Sequence, residues 1–283
     1  MANANIRAAD VAAMGLDIVS AYVQQYLVQN SVLMNTIIDR SMEAKKGVTS
    51  IKIGRRTALE AQTKVANTKL ETKRMTWASD NLALDKHEVV YTLLEDAADI
   101  ESAIEQEPQI LQASAEALMT LLEQNIYAAL AATCASSPVD HRVKFKTQSV
   151  LSLQDILGAR KLLNRKAVPF ENRWMAIHPD QEETVLGLKN IIEVSKYPNT
   201  QTIVNGEIGR IYGFRVIVSN NVTADTTLFY HSTHCAFARQ LALTWETSRN
   251  LGEVGTEYLL QQKYGLKTLD SGIRGVLMNN TGS

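Results

Sequence analysis

The chain has 283 residues, a formal net charge of -1 and 45% hydrophobic residues. These values are ordinary for a globular protein, and they exclude wholesale disorder and a globally basic nucleic-acid coat, although a local basic patch is compatible with them. The two cysteines, Cys134 and Cys235, cannot form a disulfide framework. We therefore predict a soluble intracellular protein whose thiols are reduced.

The first segment, residues 1–44, is predicted to be a mostly helical leader. Its uncharged run at 18–38 is the one membrane candidate in the sequence. Five Gln and Asn side chains interrupt that run and would be costly in hydrocarbon. Its apolar residues recur near helical spacing, so a packed amphipathic helix is the better interpretation and no membrane partner is expected.

The hydrophobic pattern changes after Gly47. Two apolar arms, near 48–53 and 82–94, enclose a long polar middle that holds one aromatic residue, Trp77. A polar stretch of this length within a compact domain usually has a function or is disordered. The pattern favours an extended β-hairpin that reaches away from a body, which we assign to residues 45–91.

Charge is distributed unevenly around this loop. Nine basic and two acidic residues give 45–74 a net charge of +7, whereas nine acidic residues and one lysine give 80–107 a net charge of -8. The two blocks could neutralise each other within one chain, could simply be solvated, or could join the loop of one copy to the acidic segment of another. The candidate inter-subunit residues are Lys52, Arg55, Arg56, Lys64, Lys69, Lys73, Arg74 and Trp77 on the loop, and Glu95, Asp96, Asp99 and Glu101 on the acidic segment.

The rest of the sequence predicts mixed helices and strands. Pro108 opens the clearest helical pattern, 108–133, which would span about 39 Å. Ser152 and Asp155 form a capping-box pattern for a helix that ends near Lys166. A short strand at 174–177 and a helix starting at Pro179 follow, and further strands are predicted at 210–218, 228–231, 237–247, 257–269 and 273–278. No βαβ period repeats, so the fold class is α+β.

No motif indicates a catalytic centre or a cofactor. Phosphate-binding, nucleophile-elbow and HExxH patterns do not occur, and Gly206, Gly209 and Gly213 are spaced for backbone turns rather than for a dinucleotide. His231, His234 and Cys235 form the only cluster of metal-ligand types. In a strand, the odd spacing of the two histidines would point them to opposite faces. We therefore predict no metal, no cofactor and no enzyme activity.

The order of these parts resembles the major capsid proteins of tailed phages, with the Hong Kong 97 type of coat fold. Two stretches carry the resemblance: Val168-Pro169 followed by Arg173 and Pro179, and the glycine pattern of 205–221. The resemblance implies an N-terminal arm (1–44), an extended loop (45–91), a peripheral domain (92–137 and 239–283) with a spine helix at 108–133, and an axial domain (138–238). Pro169, Pro179, Gly206, Gly209 and Gly213 would be its structural turns.

The function implied by the resemblance is that of a structural subunit, which self-assembles through hexamers and pentamers into an icosahedral or prolate head around double-stranded DNA. Its partners would be copies of itself, a scaffolding protein, a portal and a possible decoration protein. It would reside in the virion after assembly in the host bacterial cytoplasm. Two alternatives are a nanocompartment shell of the same fold, and a DNA-binding protein that uses the basic loop with Trp77 as a stacking platform.

Overall fold

The computed structural model describes residues 32–56, 59, 61–64, 66–67, 69–70, 72–101, 106–134, 140–147, 151–187 and 207–280. Most of the arm predicted at 1–44, most of the membrane candidate at 18–38, and Gly206 lie outside these residues. No helix within the described ranges is long and apolar enough to cross a membrane.

The spine helix is the longest helix described. A four-stranded sheet and a six-stranded sheet both pack against it. It runs from Gln106 to Ala131, so it begins and ends two residues earlier than the 108–133 predicted from sequence. Pro108 lies within its first turn, where a missing N–H costs no helical hydrogen bond. The helix ends because the chain turns toward Gly272, whose carbonyl accepts a hydrogen bond from the Cys134 N–H at 3.0 Å.

A four-stranded sheet lies along one side of the spine helix, with strand order β1-β10-β11-β4. Most of it is a long antiparallel ribbon of β10 and β11, and β4 leads into the short helix α1 that precedes the spine helix (α2). The bounds are β1 Ile38–Asp39, β4 Lys86–Glu95, α1 Asp96–Glu101, β10 Cys235–Asn250 and β11 Gly255–Thr268.

A six-stranded mixed sheet forms the second body of the fold, with strand order β5-β12-β9-β6-β8-β7. Its bounds are β5 Arg142–Lys144, β6 Arg173–Ile177, β7 Glu207–Ile211, β8 Phe214–Val218, β9 Thr227–His231 and β12 Gly275–Asn279. Helix α3 is Leu153–Arg165, a 3₁₀ turn is Pro179–Gln181, and helix α4 is Glu182–Leu186.

Strand alternation builds two cores on the two faces of this sheet. Met175 and Ile177 of β6 belong to the core that includes α3 residues such as Ile156. Ala176, between them, faces the core that contains Leu122 and Ile126 of the spine helix. The sheet is therefore sandwiched between α3 and the spine helix, which makes a mixed α+β fold as predicted.

Two local predictions need correction and one is confirmed. The single strand predicted at 210–218 is a β-hairpin, because Tyr212 and Gly213 have φ values of 49° and 90° and form a tight turn between β7 and β8. The helix predicted after Pro179 begins as a 3₁₀ turn and ends at Leu186. The capping box is present, with Ser152 and Asp155 bonding each other's backbone at the start of α3.

Candidate inter-subunit surfaces

The segment predicted as an extended loop forms a separate two-stranded sheet. Strand β2, Ser50–Arg56, pairs antiparallel with β3, Trp77–Ala83, and Ile51 lies opposite Leu82. These two residues anchor the root in an apolar cluster with Ala236 and Ala238 of β10. Every described side chain from 59 to 79 is exposed. We call residues 50–83 the hairpin.

The outer part of the hairpin carries large apolar side chains that the described part of the chain leaves uncovered. The exposed fractions are 60% for Leu59, 51% for Leu70 and 68% for Trp77. Two strands alone are at best marginally stable in water, because they cannot bury an apolar face against anything. The exposed apolar residues therefore mark a surface that is suited to contact another molecule.

The predicted basic residues fall into two groups. Lys52, Lys64, Lys69, Lys73 and Arg74 are all exposed on the hairpin. Arg55 is half-buried and forms an ion pair with Asp270 of its own chain. The side chain of Arg56 lies outside the described residues.

The predicted acidic residues lie at the end of β4 and in α1. Both carboxylate oxygens of Asp96 accept hydrogen bonds from the Arg249 guanidinium at 2.6 Å, and these bonds hold the pKa of Asp96 below its usual value. Asp99 is exposed, Glu95 is partly exposed, and the side chain of Glu101 is not described. Asp96 thus has a partner within the chain, whereas Asp99 faces solvent beside Ile100, which is itself largely exposed.

The turn after α3 is built around a buried arginine. Arg173 is only 2% exposed, yet it makes no ion pair among the described residues. Its Nε donates to the Pro169 carbonyl at 2.7 Å, and one terminal nitrogen donates to the Val168 carbonyl at 2.6 Å and to Asn164 Oδ1 at 2.9 Å. The guanidinium also lies 4.7 Å from the ring centre of Phe170. Arg173 therefore fixes the turn at Pro169 and the start of β6.

The other predicted turn residues have different positions. Pro179 begins the 3₁₀ turn, and the His178 side chain accepts a hydrogen bond from the Asp180 N–H at 3.3 Å. Gly213 occupies the left-handed position of the β7–β8 turn. Gly209 lies within β7, next to a register shift, and not in a turn.

Sequence reasoning missed a buried carboxylate on the spine helix. Glu123 is almost fully buried and accepts hydrogen bonds from the Leu33 N–H at 3.0 Å, Ser219 Oγ at 3.2 Å and Asn221 Nδ2 at 3.3 Å. It thereby joins the first described residues of the chain to the spine helix and to the loop after β8. The sequence signal for Glu123 was an acidic residue within the apolar stripe of a helix. Its partners could not be predicted, because they are about 90 residues away in the sequence.

The histidines in and near the predicted metal-ligand cluster contact backbone groups of the fold. A 3₁₀ turn, Ser232–His234, follows His231 at the end of β9, so the two histidines are not in one strand as assumed from sequence. His234 Nε2 lies 3.0 Å from the Leu130 carbonyl at the end of the spine helix. His141 Nδ1 lies 2.8 Å from the Gly275 carbonyl. Within the described ranges, no group of three or more His, Cys, Asp or Glu side chains is placed to hold a metal ion.

These buried histidines predict that stability declines in acid. Burial lowers the pKa of His234 to about 4 and also lowers that of His141, so in the fold each ring takes up its proton at a lower pH than in the unfolded chain, whose histidines bind protons below about pH 6.5. The free energy of unfolding should therefore fall between about pH 6.5 and 4, by about 1.4 kcal/mol per pH unit for His234. Urea unfolding of the unassembled subunit across this range measures the slope.

The control for this prediction is His234→Gln, whose amide can still donate to the Leu130 carbonyl. This variant should be less stable than the wild type at pH 7. The slope of its free energy of unfolding against pH should be smaller by about 1.4 kcal/mol per pH unit. An unchanged slope, or an NMR titration in which the wild-type His234 ring protonates near pH 6.5, would contradict the prediction.

Comparisons with known proteins agree with this architecture. The sequence matches the phage capsid protein family over residues 105–238, which span the spine helix and most of the six-stranded sheet. No curated protein matches the sequence. The family match and the solved structures give no support to the nanocompartment or DNA-binding alternatives.

Solved structures share the fold over nearly the whole chain. A structure from Mycobacterium phage Che8 is 21% identical, with a TM-score of 0.72 over 90% of this chain and 93% of that one. The capsid of cyanophage P-SCSP1u is 13% identical, with a TM-score of 0.73 over 95% and 93%. The capsid of Ralstonia phage GP4 is 11% identical, with a TM-score of 0.65 over 86% of each. The chain thus contains a phage capsid protein domain at 105–238, and this match together with the Hong Kong 97-type fold shared over nearly the whole chain supports a structural major capsid protein.

Proposed function

We propose that the hairpin of each subunit binds a neighbouring copy and thereby closes an icosahedral or prolate head, built of hexamers and pentamers around double-stranded DNA. The observation that carries this proposal is the hairpin itself, whose described side chains from 59 to 79 are all exposed. Such an element gains stability only by covering its apolar residues against another surface.

Charge supports the choice of a second copy as the partner. The hairpin presents Lys64, Lys69, Lys73 and Arg74, while the same chain exposes Asp99 in α1 and partly exposes Glu95 at the end of β4. Two different and complementary patches on one chain make a head-to-tail contact, and repeated contacts of this kind generate closed rings. Complementary charge also steers the encounter and fixes its register.

The same proposal assigns each domain of the subunit a place in the shell. Residues 138–238, with α3, α4 and five strands of the six-stranded sheet, would form the axial domain at the centres of hexamers and pentamers, and the sixth strand, β12, comes from the segment 239–283. The spine helix and the β10–β11 ribbon would form the peripheral domain, 92–137 and 239–283. A scaffolding protein, a portal and a decoration protein would complete a head that is assembled in the host bacterial cytoplasm.

Assembly of the purified protein tests this function. Mass photometry and negative-stain microscopy, with and without a scaffolding protein from the same genome, should reveal rings and closed shells of regular diameter. A protein that stays monomeric under every condition, with every candidate scaffold, would overturn the proposal.

A further inference from the structure

The root of the hairpin touches an unusual turn in the body of the subunit. Asp270, Ser271 and Gly272 have φ values of 53°, 51° and 73°, so three consecutive residues are left-handed. A Cβ on Gly272 would lie 2.5 Å from the Ala132 carbonyl oxygen, because this turn is pressed against the end of the spine helix. Its position is therefore fixed by the rigid body of the fold.

Asp270 of this turn contacts both strands of the hairpin. Its carboxylate forms the ion pair with Arg55 of β2, and Arg274 Nε lies 3.6 Å from its second oxygen. Its backbone N–H donates to Asp80 Oδ2 of β3 at 3.0 Å. One residue thus links β2, β3 and the spine-helix end through charged groups that are only partly exposed.

A second attachment lies closer to the body. A Cβ on Gly265 of β11 would come within 2.1 Å of the Ala83 carbonyl, so the end of β3 crosses β11 in backbone contact. Asp80 is three residues farther out, about 10 Å along a strand. An attachment at Ala83 alone would let the hairpin pivot, whereas a second one 10 Å away removes that freedom.

We propose that Asp270 is a positioning residue, which sets the direction in which the hairpin leaves the body. This inference rests on the proposed function, in which the hairpin must meet a neighbouring copy at a defined place. A pivot of 10° moves a point 30 Å away by about 5 Å, which is more than the reach of a side-chain contact. The ion pairs of Asp270 therefore determine whether the outer part of the hairpin meets its contact site on the neighbouring copy.

The test is Asp270→Asn, because asparagine tolerates a left-handed φ and removes only the charge. The matched control is Asp225→Asn, at an exposed residue with a φ of 57°. Hydrogen–deuterium exchange of the unassembled subunit should show amides of 50–56 and 77–83 exchanging about tenfold faster in Asp270→Asn. The six-stranded sheet should be unchanged, as should the whole of the control.

A second variant distinguishes a loss of the Asp270 contacts with the hairpin, which we call the latch, from a general loss of stability. Arg55→Gln should increase exchange in the same two strands, and the double variant should be no worse than Asp270→Asn alone, because both substitutions remove the Arg55–Asp270 ion pair. Unchanged hairpin exchange in Asp270→Asn, or a uniform increase over the whole chain, would overturn the inference.

Assembly of the same variants keeps the two proposals distinct. Faster hairpin exchange together with fewer or misshapen shells supports both. Faster hairpin exchange with normal shells supports the latch but counts against the hairpin as the inter-subunit contact. Normal exchange with failed assembly overturns the latch and leaves the proposed function standing.

Discussion

Reversing Lys69, Lys73 and Arg74 to Glu should impair shell assembly while the subunit stays folded. All three side chains are exposed and lie outside the cores of the fold, so their reversal leaves the packing of the body intact. In a shell, the six-unit change in charge would place like charges opposite the acidic segment of each neighbour, and that repulsion recurs at every contact. We expect the concentration needed for assembly to rise at least about tenfold, as measured by light scattering, with an unchanged circular dichroism spectrum.

The matched control conserves charge at the same positions: Lys69→Arg, Lys73→Arg and Arg74→Lys should assemble normally. Reversing Glu95 and Asp99 to Lys in the triple-reversed chain should restore part of the assembly. Asp96 is left unchanged in this design because it bonds Arg249 in its own subunit. Normal assembly of the triple reversal would show that the basic hairpin is merely solvated.

Arg173→Leu should destabilise the subunit by about 2–3 kcal/mol. The substitution leaves the carbonyl of the buried Val168 and the carbonyl of the exposed Pro169 without the donors that Arg173 supplies, and an unsatisfied buried polar group such as the Val168 carbonyl costs roughly 1–3 kcal/mol. It also removes the cation–π contact with Phe170. Because a typical domain is stable by only about 5–15 kcal/mol, we expect poor soluble yield and a lower urea midpoint.

Arg160→Leu is the control for this variant. Arg160 lies over the same Phe170 ring at 6.0 Å but is half-exposed, so its loss should cost less than about 1 kcal/mol. Equal effects of the two substitutions would mean that the hydrogen bonds of Arg173 to the 168–169 turn contribute little.

Local sequence patterns predicted those elements whose cause is local. The spine helix follows from its apolar spacing, and α3 follows from Ser152 and Asp155, three residues apart. The β7–β8 turn was missed because apolar residues flank it on both sides, although Gly213 marked the place where φ must be positive.

Contacts between distant residues could not be predicted from one sequence. Glu123 bonds Leu33 and Ser219, and Asp270 bonds Arg55 and Asp80, over separations of about 90 to 215 residues. Nothing in the spacing of these residues indicates which charge meets which. Asp96 and Arg55 were expected to contact a neighbouring subunit, yet each has an ion-pair partner in its own chain. Such partners become visible only once the fold brings the elements together.

The most direct test of the central claim is a cryo-electron microscopy map of assembled particles, at a resolution that traces the main chain. We predict that the hairpin, with Leu70 and Trp77 covered, lies across an adjacent copy near Asp99 of that copy. A map in which the hairpin folds back onto its own subunit, with no other copy in contact with residues 59–79, would contradict the account.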